Sequence, residues 1–222
     1  MIRQISTLFD GCIISLEVFA LTLLFSVPLG FPLAAGRMSR NKIVSGAVNA
    51  FLLVIRGTPL MLQLILVYFT PGFIIKYLNE VYGLGITARL DRFVAAIIAL
   101  SVNYACYFAE IYRGGFQSIP QGQYEASKVL GYTEKQTFFR IILPQVIKRI
   151  IPPMGNEVIT LVKDTALVSV IGVVELLRTA QTISSKYFST TPIFVAGLFY
   201  FVMNWVVSTA FIALEKKLNY YK

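Results

Sequence analysis

The chain has 222 residues, of which 56% are hydrophobic and only 14% charged, with a formal charge of +9 and no histidine. Soluble domains carry about 25% charged residues, so the excess apolar surface must face lipid, and the basic residues read as topology markers rather than a nucleic-acid surface. Without imidazole there are no His triads or His metal sites, and Cys12 and Cys106 lie far apart in apolar runs, without the spacing of a metal site or disulfide framework.

The only charge from residue 11 to 36 is Glu17, near the start of a run long enough to cross a bilayer. It exceeds a signal-peptide core and ends in Arg37, Arg40 and Lys42, so it reads as a retained first span, with Pro28 and Pro32 tolerated inside a bundle. Residues 43–55 are apolar but too short to span, and stop at Arg56-Gly57-Thr58-Pro59. The expectation is an interfacial elbow helix followed by a second span at 60–78; the alternative is one long kinked helix. Arg56–Pro59 then serves either as a hinge or as a plain proline-started helix.

A charged, glycine-bearing loop at 79–92 leads to a third span at 93–112. A polar loop at 114–144 follows. A fourth span at 150–170 contains Pro152, Pro153 and Gly155 and is expected to be kinked or partly discontinuous, with a short helix beyond it. The fifth covers 192–214, before a polar tail. This predicts one all-α integral membrane domain over residues 1–222. With five spans and the amino end outside, thirteen Lys/Arg fall on inner segments and six on outer ones, with Lys163 at the membrane edge. That bias places the carboxyl end and the 114–144 loop inside.

Ionisable groups within spans mark functional sites. Asn103, Tyr107 and Glu110 share one face of the third span, and Glu157, Thr160 and Asp164 one face of the fourth. Asn204 and Ser208 add polar groups from the fifth, and Gln63 from the second. These faces are expected to converge on a substrate cavity whose carboxylates favour a cationic group. Structural readings stand beside the functional ones: a pair with Arg113 for Glu110, a helix or subunit contact for Glu157, a gate or cap for Asp164, and a helix bridge for Asn103.

In the polar loop, Glu125-Ala126-Ser127 is followed after three residues by Gly131, and nine residues later by Ile141-x-Leu143-Pro144. Residues 125–138 favour a short polar helix, with Gly131 expected to admit a close neighbour. This spacing resembles the EAA loop of the membrane-spanning subunits of ABC importers, with Ser127 where the family usually has Ala. The similarity extends over residues 56–174: 109–133 and 155–176 resemble the histidine/glutamine-type group of polar amino-acid permeases.

The resemblance implies a pair of such subunits, identical or related, on two cytoplasmic ATPases in a bacterial cytoplasmic membrane. It implies alternating access, an external solute-binding protein, and Glu125, Ala126, Ser127 and Gly131 at the coupling positions. The chain has no phosphate-binding GxxxxGK[ST] sequence. ATP and Mg are therefore expected on the partner, with no cofactor or metal here and no enzymatic role for this subunit. The carboxylates favour arginine, lysine or histidine as substrate, with glutamine the alternative. A stand-alone secondary transporter would have no reason to carry the EAA spacing, and an intramembrane enzyme lacks a nucleophile–base pair.

Overall fold

The computed structural model describes residues 2–87 and 89–218, with side chains from Gln4 onward. The Arg3 side chain and the tail from 219 to 222 with Lys222, both used in the charge count above, lie outside the described residues. No strand occurs among the described residues. In chain order the helices are α1 (Ile2–Arg37), α2 (Lys42–Gly57), α3 (Leu60–Tyr82), α4 (Arg92–Gln117), α5 (Gln121–Val129) and α6 (Glu134–Gln136). A π-helical segment, Thr137–Ile142, then leads into α7 (Leu143–Asp164). A 3-10 helix (Thr165–Ile171), α8 (Leu176–Tyr187) and α9 (Thr191–Leu218) complete the fold.

The central rod is α4, with 67% of its most apolar stretch buried inside the protein against 6% for α9. Its inner face is built from small residues, including Ala95, Ala96, Ala99, Ala105 and Ala109. Lipid tails are as apolar as leucine, so helices in a bilayer associate through close packing rather than through escape from water. Gly30 of α1 supplies that closeness: a Cβ there would stand 2.9 Å from the Phe108 Cβ and 3.1 Å from the Ala105 carbonyl oxygen. The Tyr112 hydroxyl donates to the Val27 carbonyl at 3.0 Å and fixes the level of contact. Further along, Gly115 of α4 lies against Ile150 of α7, and Gly155 of α7 against Phe211 of α9.

α2 and α3 are two separate helices, with only Thr58 and Pro59 between them, so the single kinked helix is not formed. α2 has three sides. Val48, Leu52 and Ile55 pack inward. Ile43, Val44, Phe51 and Val54 are exposed. Lys42, Asn49 and Arg56 recur every seven residues along a polar edge.

Four helices are long and apolar enough to cross a membrane: α1, α3, α4 and α9. α7, over which the sequence places the fourth of five spans, is not among them, because Lys148, Arg149, Glu157, Lys163 and Asp164 dilute its apolar content. It also runs unbroken through Pro152 and Pro153. The expected interruption comes later, at Asp164, where the chain tightens into the 3-10 helix.

Gly30→Val is expected to abolish the monodisperse peak in fluorescence-detected gel filtration, whereas Gly46→Val, with nothing within 4 Å of its added Cβ, leaves the peak in place.

Candidate functional site

The α2–α3 break, α4 and the end of α7 bring three of the candidate residues, Tyr107, Glu157 and Asp164, together. Asp164 is the last residue of α7, and its Oδ2 accepts the Tyr104 hydroxyl of α4 at 2.7 Å. Glu157 lies two turns earlier on the same face, within electrostatic range of Asp164 and Arg56. Neither carboxylate forms an ion pair among the described residues. Lys163 is within range of Asp164, but its side chain is exposed. Tyr104, buried to 2% exposure, faces both carboxylates and touches the Tyr107 ring at 6.3 Å between centroids.

Arg56, at the end of α2, holds its guanidinium 5.1 Å from the centre of the Tyr107 ring, a cation–π arrangement. It is also within electrostatic range of Glu110 and Glu157. The patch therefore holds two carboxylates, one guanidinium and two tyrosines.

The other candidates are placed differently. Glu110 is bound by Arg113, at 2.6 and 3.0 Å, and approached by Arg37 of α1 at 3.8 Å. This is the pair with Arg113 that the three-residue spacing allowed. Asn103 is 4% exposed and donates to Gln63 of α3 at 3.0 Å, bridging two helices. The Thr160 hydroxyl donates back to the Asn156 carbonyl at 3.0 Å. Asn204 has a buried Oδ1 without a hydrogen-bond partner among the described residues, and its neighbour Met203 contacts Cys12 of α1. Sequence reasoning missed Tyr104 and Arg56. Arg56 was visible as the one cation at a proline break, whereas Tyr104 carries no signal beyond lying one residue from Asn103.

The polar loop is two helices, not one. α5 stops at Val129, and Gly131 adopts φ +77°, so the 125–138 helix is interrupted where a left-handed residue is needed. The Tyr132 amide bonds the Ser127 carbonyl and the Gly131 amide the Lys128 carbonyl, each at 3.0 Å, which is a Schellman ending. Nothing lies within 4 Å of a Cβ built at Gly131. Within this chain the positive φ, rather than packing against a neighbour, is what selects glycine at this position. The next helix restarts at Thr133, which forms a capping box with Gln136. Ser127 is 1% exposed; its hydroxyl donates to the Tyr124 carbonyl at 2.8 Å and accepts from Thr137 at 3.1 Å. Glu125 and Ala126 are exposed, beside the bare apolar side chains of Val129 and Leu130. Behind the loop Arg149 donates to the Ser118 carbonyl, Gln145 to Gln123 at 3.2 Å, and Phe116 stacks on Phe138.

Residues 26–220 match the model of the family described as binding-protein-dependent transport system inner membrane component. The chain belongs to this family. Among its relatives, the nopaline transport system permease protein NocM of Agrobacterium fabrum is 37% identical, over 92% of this chain and 85% of that protein. The arginine transport system permease protein ArtQ of Bacillus subtilis is 35% identical over 98% and 95%. The L-cystine permease TcyB of the same organism is 34% identical over 95% and 86%. In three dimensions the chain superimposes on the crystal structure of an amino acid ABC transporter with histidines, at a TM-score of 0.84, 33% identity, and coverage of 98% and 96%. The MetNI methionine transporter shares the fold at 18% identity and a TM-score of 0.65, over 97% of this chain and 95% of that one. The protein is a multi-pass membrane permease of the amino-acid ABC transport class.

Removing the charge partner of two arginines leaves both without a counterion at partial burial. Glu110→Ala in the permease is expected to destabilise by about 1–3 kcal/mol, read as a lower thermal midpoint in detergent, with Glu110→Asp recovering part of it.

Proposed function

We propose that this permease forms the translocation path of an ATP-driven importer for a basic amino acid such as arginine, lysine or histidine. The observation that carries the reading is the charge inventory of the patch. An amino acid with a cationic side chain brings two cations and one carboxylate. Asp164, Glu157 and Arg56 are the complementary set, two carboxylates and one guanidinium held around Tyr104 and Tyr107. Burying ionised groups is costly unless they are paired, and a substrate that supplies both missing partners lowers that cost only while bound. Asp164 and Glu157 take the ammonium or guanidinium groups, and Arg56 takes the α-carboxylate, the planar fork suited to it. Asn103 and Thr160 shape the path from behind, Tyr107 flanks it, Glu110 closes its inner edge through Arg113 and Arg37, and Asn204 lines it from the side of α9. The names of the arginine and nopaline permeases among its relatives agree with a guanidinium-bearing substrate. The alternative is glutamine, which some relatives are named for, and which requires only one ammonium partner.

In this reading α7 is a fifth transmembrane helix whose polar face meets substrate and a second permease subunit rather than lipid. The amino end is outside and the carboxyl end inside the bacterial cytoplasmic membrane, as the positive-inside bias supports. Two copies, or this chain and a related one, stand on a pair of cytoplasmic ATPases that bind ATP and Mg, and an external solute-binding protein delivers the substrate. The α5 helix is the coupling element. Its Glu125, Ala126, Val129 and Leu130 face the ATPase, while Ser127 and the Gly131 turn hold it on the segment leading to α7. Movement of α5 is thereby passed to the helix that carries Glu157 and Asp164, giving alternating access.

The deciding experiment is ATP hydrolysis by the liposome-reconstituted permease with its ATPase and binding protein, titrated with arginine, lysine, histidine and glutamine. Stimulation by the basic amino acids alone is expected; stimulation by glutamine alone would return the carboxylates to structural roles. In the same system Asp164→Asn is expected to lower arginine uptake about tenfold, on the order of 1.4 kcal/mol, and a fall below about threefold in normally inserted protein would count against its ligand role. Gly131→Arg is expected to insert normally and abolish ATP-driven uptake; unchanged uptake would remove α5 from coupling.

A further inference from the structure

Pro59 leaves a carbonyl without its donor. A helix continuing through α2 into α3 would bond the Ile55 carbonyl to the amide of residue 59, and proline has none. Gln63, one turn into α3, provides the replacement. Its Nε2 lies 2.6 Å from the Ile55 carbonyl oxygen, 2.9 Å from the Thr58 hydroxyl and 3.2 Å from the Thr58 carbonyl. Its Oε1 accepts from Asn103 of α4 at 3.0 Å. Gln63 is 8% exposed and Asn103 4%. Both amide ends of Gln63 are spent on protein partners, so it is placed to hold the chain rather than to bind a ligand.

What it holds is the segment that presents Arg56. Arg56 follows the clamped Ile55 directly and precedes the clamped Thr58 by two residues, and its guanidinium reaches back over Tyr107, one turn from Asn103 on the same helix. We propose that Gln63 is a positioning residue for substrate specificity. By tying the Ile55–Thr58 turn to α4 it fixes the separation between the Arg56 guanidinium and the Asp164–Glu157 carboxylates, and so selects ligands that carry an α-carboxylate at amino-acid distance from their cation. The inference rests on the reading of Arg56 as the carboxylate anchor.

The test uses the assembled permease–ATPase complex in lipid nanodiscs without a binding protein. It measures equilibrium binding of radiolabelled arginine and of agmatine, which is arginine without the α-carboxylate. The unaltered complex is expected to prefer arginine by at least about tenfold, the range of a charge-assisted bidentate contact. Arg56→Gln removes that preference. Gln63→Leu, similar in bulk but without a donor, weakens arginine about tenfold and leaves agmatine within about twofold. Asn103→Ala, which frees only one end of the clamp, reduces the preference by about threefold and decides the matter if Gln63→Leu fails to assemble. If the unaltered complex and Arg56→Gln both bind the two ligands alike, the underlying reading of Arg56 is wrong. If Arg56→Gln removes the preference while Gln63→Leu keeps it, or weakens both ligands equally, or if Asn103→Ala leaves it unchanged, the positioning role of Gln63 is overturned.

Discussion

A backbone carbonyl that loses its amide partner inside a bilayer has no water to turn to, and this constraint governs where the chain can be irregular. Two interruptions of the membrane helices meet it in two ways, and a third, in the polar 114–144 loop, meets the same loss of a donor outside the bilayer. At Pro59 the side chain of Gln63 replaces the missing donor. Before Pro144, which has no amide hydrogen, the helix widens into the π segment, where the Leu143 amide bonds the Phe138 carbonyl five residues back and the Gln145 side chain adds a bond to the neighbouring Ile141 carbonyl at 2.8 Å. At the end of α7 the chain narrows into a 3-10 helix, and the Thr165 hydroxyl bonds the Val162 carbonyl at 2.8 Å. These breaks sit beside Arg56, the α5 loop and Asp164.

The same low-dielectric interior sorts the carboxylates. Glu110 has its own arginine at contact distance, and Glu175, fully buried, is bonded by the Leu177 and Arg178 amides, Tyr200 and Ser15, tying α8 to α1 and α9. Both are satisfied by the fold. Among the described residues Asp164 and Glu157 receive one hydrogen bond, from the Tyr104 hydroxyl, and otherwise the more distant fields of Arg56 and the exposed Lys163. Groups so incompletely paired are the ones with capacity left for a charged ligand.

Much of this was legible in the sequence because its causes are local. Length and apolarity mark α1, α3, α4 and α9, and the Glu125–Pro144 spacing marks the EAA-like loop. Proline at position 59 predicts a break before α3. Gly131 was legible as special, but its positive φ was not: a left-handed turn and a close packing contact select the same residue, and the sequence does not separate them. α7 was harder because its charged face keeps its hydropathy below that of a spanning helix. The Tyr104–Asp164 bond joins residues sixty positions apart, and the Gln63–Asn103 bond residues forty apart. No periodicity within one helix encodes such pairs, whereas the Glu110–Arg113 pair, three residues apart on α4, was open to sequence reasoning.

The most direct test of the account is a single-particle cryo-EM map of the assembled transporter with saturating arginine. Ligand density is expected with its cationic end within hydrogen-bond distance of Asp164 or Glu157, and its α-carboxylate on Arg56. Density bound elsewhere along the path, with Asp164 still engaged only by Tyr104 and Arg56 still over Tyr107, would contradict it.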